Sequence, residues 1–190
     1  MQRVVAGTLR GRKLLPVPAG VPGLRPTASR VREAIFARIG DEVEGTRVLD
    51  LFGGSGALSI EALSRGAAFA TVCELDGRVA RHLAQQLEVL GLAAKAEVAR
   101  GDATRWLAGG PGTRARYDLV FVDPPFASPH VFDPVVAALV EQGWLAPRAL
   151  VVCERERVRG QVPPLQLPAV VQPEALKIYG QVQVEYLRAP

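Results

Sequence analysis

From Thr46 onward, short and continuously apolar runs alternate with stretches whose apolar residues recur at helical spacing. The runs are RVLDLF (47–52), AFATVCEL (68–75), AEVAR (96–100), DLVFVD (118–123) and ALVVCER (149–155). Strands this short, with no polar alternation, predict a sheet covered on both faces. Between them ALSIEALSR (57–65), RVARHLAQQLEVL (78–90), ATRWLA (103–108) and VFDPVVAALVEQG (131–143) read as helices. Such alternation predicts parallel strands joined by crossover helices. The last stretch, EALKIYGQVQVEYLR (174–188), instead reads as two strands joined tightly at Tyr179-Gly180, an antiparallel hairpin at the sheet edge.

Before Thr46 the pattern differs. RVVAGTL (3–9) and KLLPVP (13–18) flank RGR and predict a short hairpin. A Pro/Gly-rich connector, VPAGVPGLRP (17–26), follows. Thr27 is placed to cap a helix running to about Ile39, where Val31, Ile35, Phe36 and Ile39 share one face and Gly40 stops it. The organisation expected is a basic N-terminal hairpin and connector over residues 1–25, followed by one α/β domain over residues 26–190.

Composition narrows the class without changing the fold. The chain has 190 residues, enough for one well-buried core, and 48% hydrophobic with 22% charged residues suits a globular protein. No apolar run approaches the roughly 18 residues that span a bilayer, and the N-terminus lacks the pattern of a signal peptide. A cytoplasmic protein without a membrane partner is the expectation. Cys73 and Cys153 sit inside apolar runs and read as buried thiols, while His82 and His130 lack ligand spacing, so no metal site is expected. Arginine greatly outnumbers lysine and asparagine is absent, a bias that both a thermophilic source and GC-rich codons would produce.

Charge adds more. No acidic residue precedes Glu33, whereas Arg3, Arg10, Arg12, Lys13, Arg25, Arg30 and Arg32 are all basic. A one-signed stretch of this length points to an anionic partner, with nucleic acid the natural candidate; a solvated basic face is the competing reading. Arg10, Arg12, Lys13, Arg25, Arg30 and Arg32 are the candidate nucleic-acid contacts.

The chemistry gathers at predicted strand ends. In VLDLFGGSGALSIEA, Gly54 and Gly56 lie between a strand and a helix, where doubly wound sheets bind ligands. A dinucleotide loop would carry a third glycine, which is missing here, and Asp50 would oppose a pyrophosphate while favouring a cationic ligand. Glu74 ends the next strand, about two dozen residues on, where a carboxylate accepts hydrogen bonds from ribose hydroxyls. Asp102 follows the third strand, as a ligand contact or simply as the cap of the helix behind it. A ligand with a ribose, an amine and a positive centre but no phosphate fits this set: S-adenosylmethionine. Phe52, Leu75 and Ala103 complete the candidate cofactor residues beside Asp50, Gly54, Gly56, Glu74 and Asp102.

The fourth strand ends on Asp123, followed by Pro124, Pro125 and Phe126. If the first and fourth strands are neighbours, these four residues face the cofactor and form the candidate catalytic set. An exocyclic purine amine is a poor nucleophile because its lone pair is delocalised. Two acceptors on its hydrogens draw that pair toward an electrophile: the Asp123 carboxylate and the Pro124 carbonyl, whose direction Pro125 fixes. Phe126 offers a face on which an extruded base stacks.

These segments resemble a known group. DLFGGSGALSIEALSRGA with DPPF is similar to the class I S-adenosylmethionine-dependent methyltransferases that act on amino groups of nucleic-acid bases. More narrowly, RVVAGTLRGRKLLPVP, GLRPTASRVREAIF and GQV near the C-terminus resemble the RsmD-type 16S ribosomal RNA guanine-N2 methyltransferases. The resemblance implies a Rossmann-like α/β fold with a seven-stranded, mostly parallel sheet and an antiparallel C-terminal hairpin. It further implies S-adenosylmethionine as cofactor and methylation of one guanine N2 in 16S rRNA, within the small ribosomal subunit or an assembly intermediate. A monomer is expected. Three rivals remain: an adenine-N6 methyltransferase on DNA or RNA, a nicotinamide-dependent oxidoreductase, and a non-catalytic RNA-binding assembly factor.

Overall fold

A computed structural model describes residues 2–18, 20–21, 29–158 and 162–190. Helix α1 (Ser29–Ile39) buries Val31, Ile35, Phe36 and Ile39, as its spacing predicts, and Gly40 ends it in the left-handed region with φ 58°. Thr27, the expected cap, lies outside the described residues. Five strands alternating with four helices follow: β1 (Arg47–Asp50), α2 (Ala57–Ser64), β2 (Phe69–Glu74), α3 (Gly77–Val89), β3 (Ala96–Arg100), α4 (Ala103–Ala108), β4 (Tyr117–Val122), α5 (Phe132–Glu141) and β5 (Leu145–Glu156). The hairpin β6 (Gln172–Tyr179) and β7 (Val182–Arg188) closes the chain, turning at Gly180 with φ 62°.

All seven strands form one sheet in the order β3-β2-β1-β4-β5-β7-β6, with only β7 running opposite to the other six. Its two faces are buried by different helices. Val48, Val72, Phe121 and Val152 pack with α1, α2 and α3. On the other face Leu49, Cys73, Val122 and Cys153 pack with α4 and α5. This two-sided burial is why the strands read as unbroken apolar runs. Both cysteines are free and buried, and loss of solvation pushes their thiols well above the usual range.

β5 begins four residues earlier than its apolar run. Leu145 pairs with Tyr117, the register then shifts, and Leu150 pairs with Leu119. Arg148 lies within the shift at φ 60°, so the polar and proline-bearing stretch before Ala149 is a bulged strand that apolar pattern alone hides.

The N-terminal segment is an arm more than a hairpin. A single bridge joins Arg3 and Lys13, supported by bonds from Val4 N to Arg12 O (3.0 Å) and Leu14 N to Gln2 O (3.0 Å). Val5 N and Ala6 N donate elsewhere, to the two oxygens of Glu61 on α2 at 2.7 and 3.0 Å. Ser64 adds a hydroxyl accepting from Leu9 N (2.9 Å) and a carbonyl accepting from Thr8 N (2.7 Å). Val4 and Leu14 join the core shared with α1 and α2. Polar groups on α2 thus replace the second strand that the pattern predicts.

Candidate active site

The strand order reverses at β1, which has β2 on one side and β4 on the other. Asp50 pairs with Phe121, so the loop after β1 and the residues after β4 emerge side by side. In doubly wound sheets the crevice at such a reversal holds the ligand.

The loop is fixed from several directions. Gly53 N donates to Cys73 O (2.8 Å), and Gly56 N turns back to Gly53 O (2.7 Å). Gly54 at φ 52° and Gly56 at φ 73° adopt backbone that side chains resist. The Glu74 carboxylate accepts from Gly54 N (2.9 Å) through one oxygen and from Asp76 N (2.8 Å) through the other. The buried Gln86 amide donates to Ser55 O (2.7 Å) and accepts from Leu15 N (2.6 Å), so one side chain ties the arm to the loop. Asp50 is buried and accepts from Ser59 Oγ (2.7 Å); loss of solvation raises its pKa to about 6 against the opposing hydrogen bonds.

Three residues outside the candidate set therefore position the loop: Gly53, Ser59 and Gln86. Gly53 could have been found from its strand-to-helix setting, since both flanks must pack closely there. A Cβ at Gly53 would lie 2.4 Å from Val72 Cγ1 and 3.2 Å from Cys73 O. Gly53→Ala is expected to cost about 1–3 kcal/mol by overpacking and to weaken cofactor binding, read by thermal melting and calorimetry.

The residues present fit S-adenosylmethionine. A carboxylate has about four acceptor positions, so Glu74 retains capacity for a ribose diol while holding the loop. Next to it Leu75 is an apolar side chain left 67% exposed at the same sheet edge, a surface on which a flat ring can rest. Asp102 caps α4, accepting from Arg105 N (3.0 Å) and the Thr104 hydroxyl, so the capping reading is realised. Ala103 follows it, buried, and Phe52 is half-buried against the α5 side of the core.

Beyond β4, Asp123 is half-buried, Pro124 buried, Pro125 exposed and Phe126 half-buried. The Pro125 carbonyl is taken by Ser128 N (2.8 Å), which closes the turn and leaves Pro124 the better placed backbone acceptor. Among the described residues no group of three or more His, Cys, Asp or Glu could hold a metal ion, and no helix is long and apolar enough to cross a membrane.

The basic residues divide. Arg10, Arg12, Lys13 and Arg30 are exposed, and Arg25 lies outside the described residues. Arg32 corrects the reading that grouped it with them. It is 1% exposed, donates to Arg3 O (2.7 Å) and lies 3.8 Å from the Glu61 carboxylate. Its place on the apolar stripe of α1 turns it inward, where it helps hold the arm.

This fold and this edge define a class I S-adenosylmethionine-dependent methyltransferase. Residues 2–188 match the family described as Conserved hypothetical protein 95, and the chain belongs to that family, the RsmD-type methyltransferases. It is 44% identical over 158 residues to ribosomal RNA small subunit methyltransferase D of Escherichia coli, covering 83% of this chain and 76% of that one. The Haemophilus influenzae protein of the same name is 39% identical over 163 residues, covering 85% and 82%. The solved Escherichia coli yhhF superposes with a TM-score of 0.84 at 36% identity, over 98% of this chain and 97% of that chain. At 18% identity and a TM-score of 0.63, an RNA methyltransferase of Salinibacter ruber shares the fold, over 87% of this chain and 94% of that one. The expected fold, cofactor and enzyme class are borne out.

Proposed function

We propose that the enzyme methylates the exocyclic N2 amine of one guanine in 16S rRNA, within the small ribosomal subunit or its assembly intermediate. The observation that carries this reading is the adjacency of Asp123-Pro124-Pro125-Phe126 to the glycine loop across the β1/β4 pair. The relatives' name, ribosomal RNA small subunit methyltransferase D, supports the substrate class.

S-adenosylmethionine supplies an electrophilic methyl group on a sulfonium. Glu74 holds the ribose, Leu75 and Asp102–Ala103 flank the adenine, and Asp50, with Gly54 and Gly56 beside it, faces the cationic end. Asp123 and the Pro124 carbonyl accept the two N2 hydrogens, while Phe126 stacks on the extruded base. Residues 1–25 form the RNA-binding extension and residues 26–190 the catalytic domain, acting as a cytoplasmic monomer. The arm runs from Leu15, held beside Gln86 and the loop, back to Arg12, whose guanidinium donates to Val89 O at the far end of α3 (3.4 Å).

Labelled S-adenosylmethionine incubated with small subunits lacking the modification, and with naked 16S RNA, tests the reading. N2-methylguanosine at one mapped position is expected. N6-methyladenosine, or no incorporation into either substrate, would overturn it. Neutralising Arg10, Arg12 and Lys13 together should reduce the slope of log affinity against log salt by about 2–3. An unchanged slope would remove the arm from RNA binding.

A further inference from the structure

The end of β5 places a second acidic residue beside Asp123. Val122 and Cys153 are register partners in parallel strands, so the next residues, Asp123 and Glu154, stand side by side at the catalytic edge. Their predecessors on the same face, Phe121 and Val152, pack together in the core under α1. Glu154 is only 5% exposed, and its Oε2 is buried with no hydrogen-bond partner among the described residues. Arg155 is committed elsewhere: it pairs with Glu185 at 2.7 Å and lies over the Phe132 ring, on the opposite face. The titratable and charged groups around Glu154 are Asp123 from the end of β4 and Tyr186 from β7, with Tyr179 of β6 and Arg38 of α1 behind Tyr186.

Two carboxyl groups this close to each other in an apolar edge do not both ionise. Burial decides which keeps its proton. Glu154 is the more deeply buried, and desolvation, reinforced by the Asp123 charge, raises its pKa far above the ordinary carboxylate range.

We propose that Glu154 is a positioning residue of the active site, a neutral carboxylic acid that leaves Asp123 as the one ionised acceptor for the substrate amine. The proposal rests on the reading of Asp123 given above. In the transfer step the N2 lone pair forms the new N–C bond. The S–CH3 bond breaks with its electron pair going to sulfur. The proton lost by the alkylated nitrogen passes to the Asp123 carboxylate. Asp123 can receive it because Glu154 already holds its own. An ionised Glu154 would instead pull a resting proton onto Asp123 and remove the acceptor.

The test compares Glu154→Ala with Glu154→Gln, an isosteric neutral group. E154A is expected to lower single-turnover kcat by about 100-fold, the lower end of what proton-handling groups contribute, with KM for RNA and cofactor affinity little changed. E154Q is expected to restore kcat to within about threefold of wild type, because it is neutral like the protonated acid and, unlike alanine, keeps the side-chain shape and a polar hydrogen beside Asp123. Infrared difference spectra of wild type against E154Q, with 13C-labelled glutamate, should show a protonated-carboxyl C=O band at neutral pH. Defects of equal size in E154Q and E154A, or absence of that band, would overturn the proposal. Should E154A fail to fold, E154Q and the infrared band still decide. The infrared result concerns Glu154 alone, so it separates failure of this inference from failure of the Asp123 reading, which a fully active Asp123→Ala would reveal.

Discussion

Asp123→Ala is expected to lower methyl transfer by about 10³-fold or more while changing the affinity for S-adenosylmethionine by less than about threefold. The reason lies in what the two strand ends do. In the proposed geometry the cofactor is gripped from β1, β2 and β3, by the glycine loop, Glu74 and Asp102, the loop itself being tied to Glu74 and Asp102 capping α4. Asp123 comes from β4 and touches only the reacting amine in the proposed geometry. Without it the N2 lone pair stays in the purine ring, and the product nitrogen has no base for its proton. Asp123→Asn restores shape and one acceptor but not the charge, so it should fall between alanine and wild type. Single-turnover rates and calorimetry on the same variants check both halves. An alanine variant that retained a tenth of the wild-type rate would refute the assigned role.

The largest loss of stability is expected at Glu61, far from the chemistry. This buried carboxylate accepts from Val5 N and Ala6 N of the arm and from Arg65 Nε (2.8 Å), and it faces buried Arg32 at 3.8 Å. Burial already lowers the Arg32 pKa, and Glu61 is the leading influence that opposes the shift. Removing one partner of a buried pair costs about 3–5 kcal/mol, chiefly by stranding the other charge. Glu61→Ala should therefore lower Tm by roughly 10 °C in a chain of this size and expose the arm to limited proteolysis. Adding Arg32→Met should recover part of the loss, since the stranded charge is gone. A double variant no better than the single would show that the arm's hydrogen bonds, not the buried guanidinium, carry the cost.

Much of the architecture was legible because both faces of the sheet are apolar. The runs ending at Phe52, Leu75 and Asp123 overshoot the strand ends at Asp50, Glu74 and Val122 by one or two residues, and the hairpin turns at Tyr179-Gly180 as expected. What escaped was polarity that points inward. All eight residues of α2 are buried, including Ser59, Glu61 and Ser64, which periodicity would assign to solvent. Each is used: Ser59 by Asp50, Glu61 and Ser64 by the arm. Arg32 was misread for the same reason, as a basic residue among exposed ones. At the site, the glycine turn, the acids at strand ends and Asp123-Pro-Pro-Phe were visible as motifs. Gln86 and Glu154 were not, because their significance comes from neighbours contributed by distant segments.

The way the arm is held has a consequence for how such chains can diverge. Glu61 and Ser64 grip mainly main-chain groups of Val5, Ala6, Thr8 and Leu9, the Thr8 hydroxyl donating to Ser64 O (3.3 Å) being the side-chain exception. At Gly7, with φ 78°, a Cβ would fall 1.8 Å from Ser64 O, so one glycine is fixed by contact with α2. Elsewhere in the loop between Val4 and Leu14, residue identity is largely decoupled from docking. Related proteins could rewrite that loop to suit a different RNA surface without redesigning the catalytic core, provided the glycine and the two α2 residues stay. The instructions for attachment are thus kept in the enzyme body, and the attached surface is left open to drift.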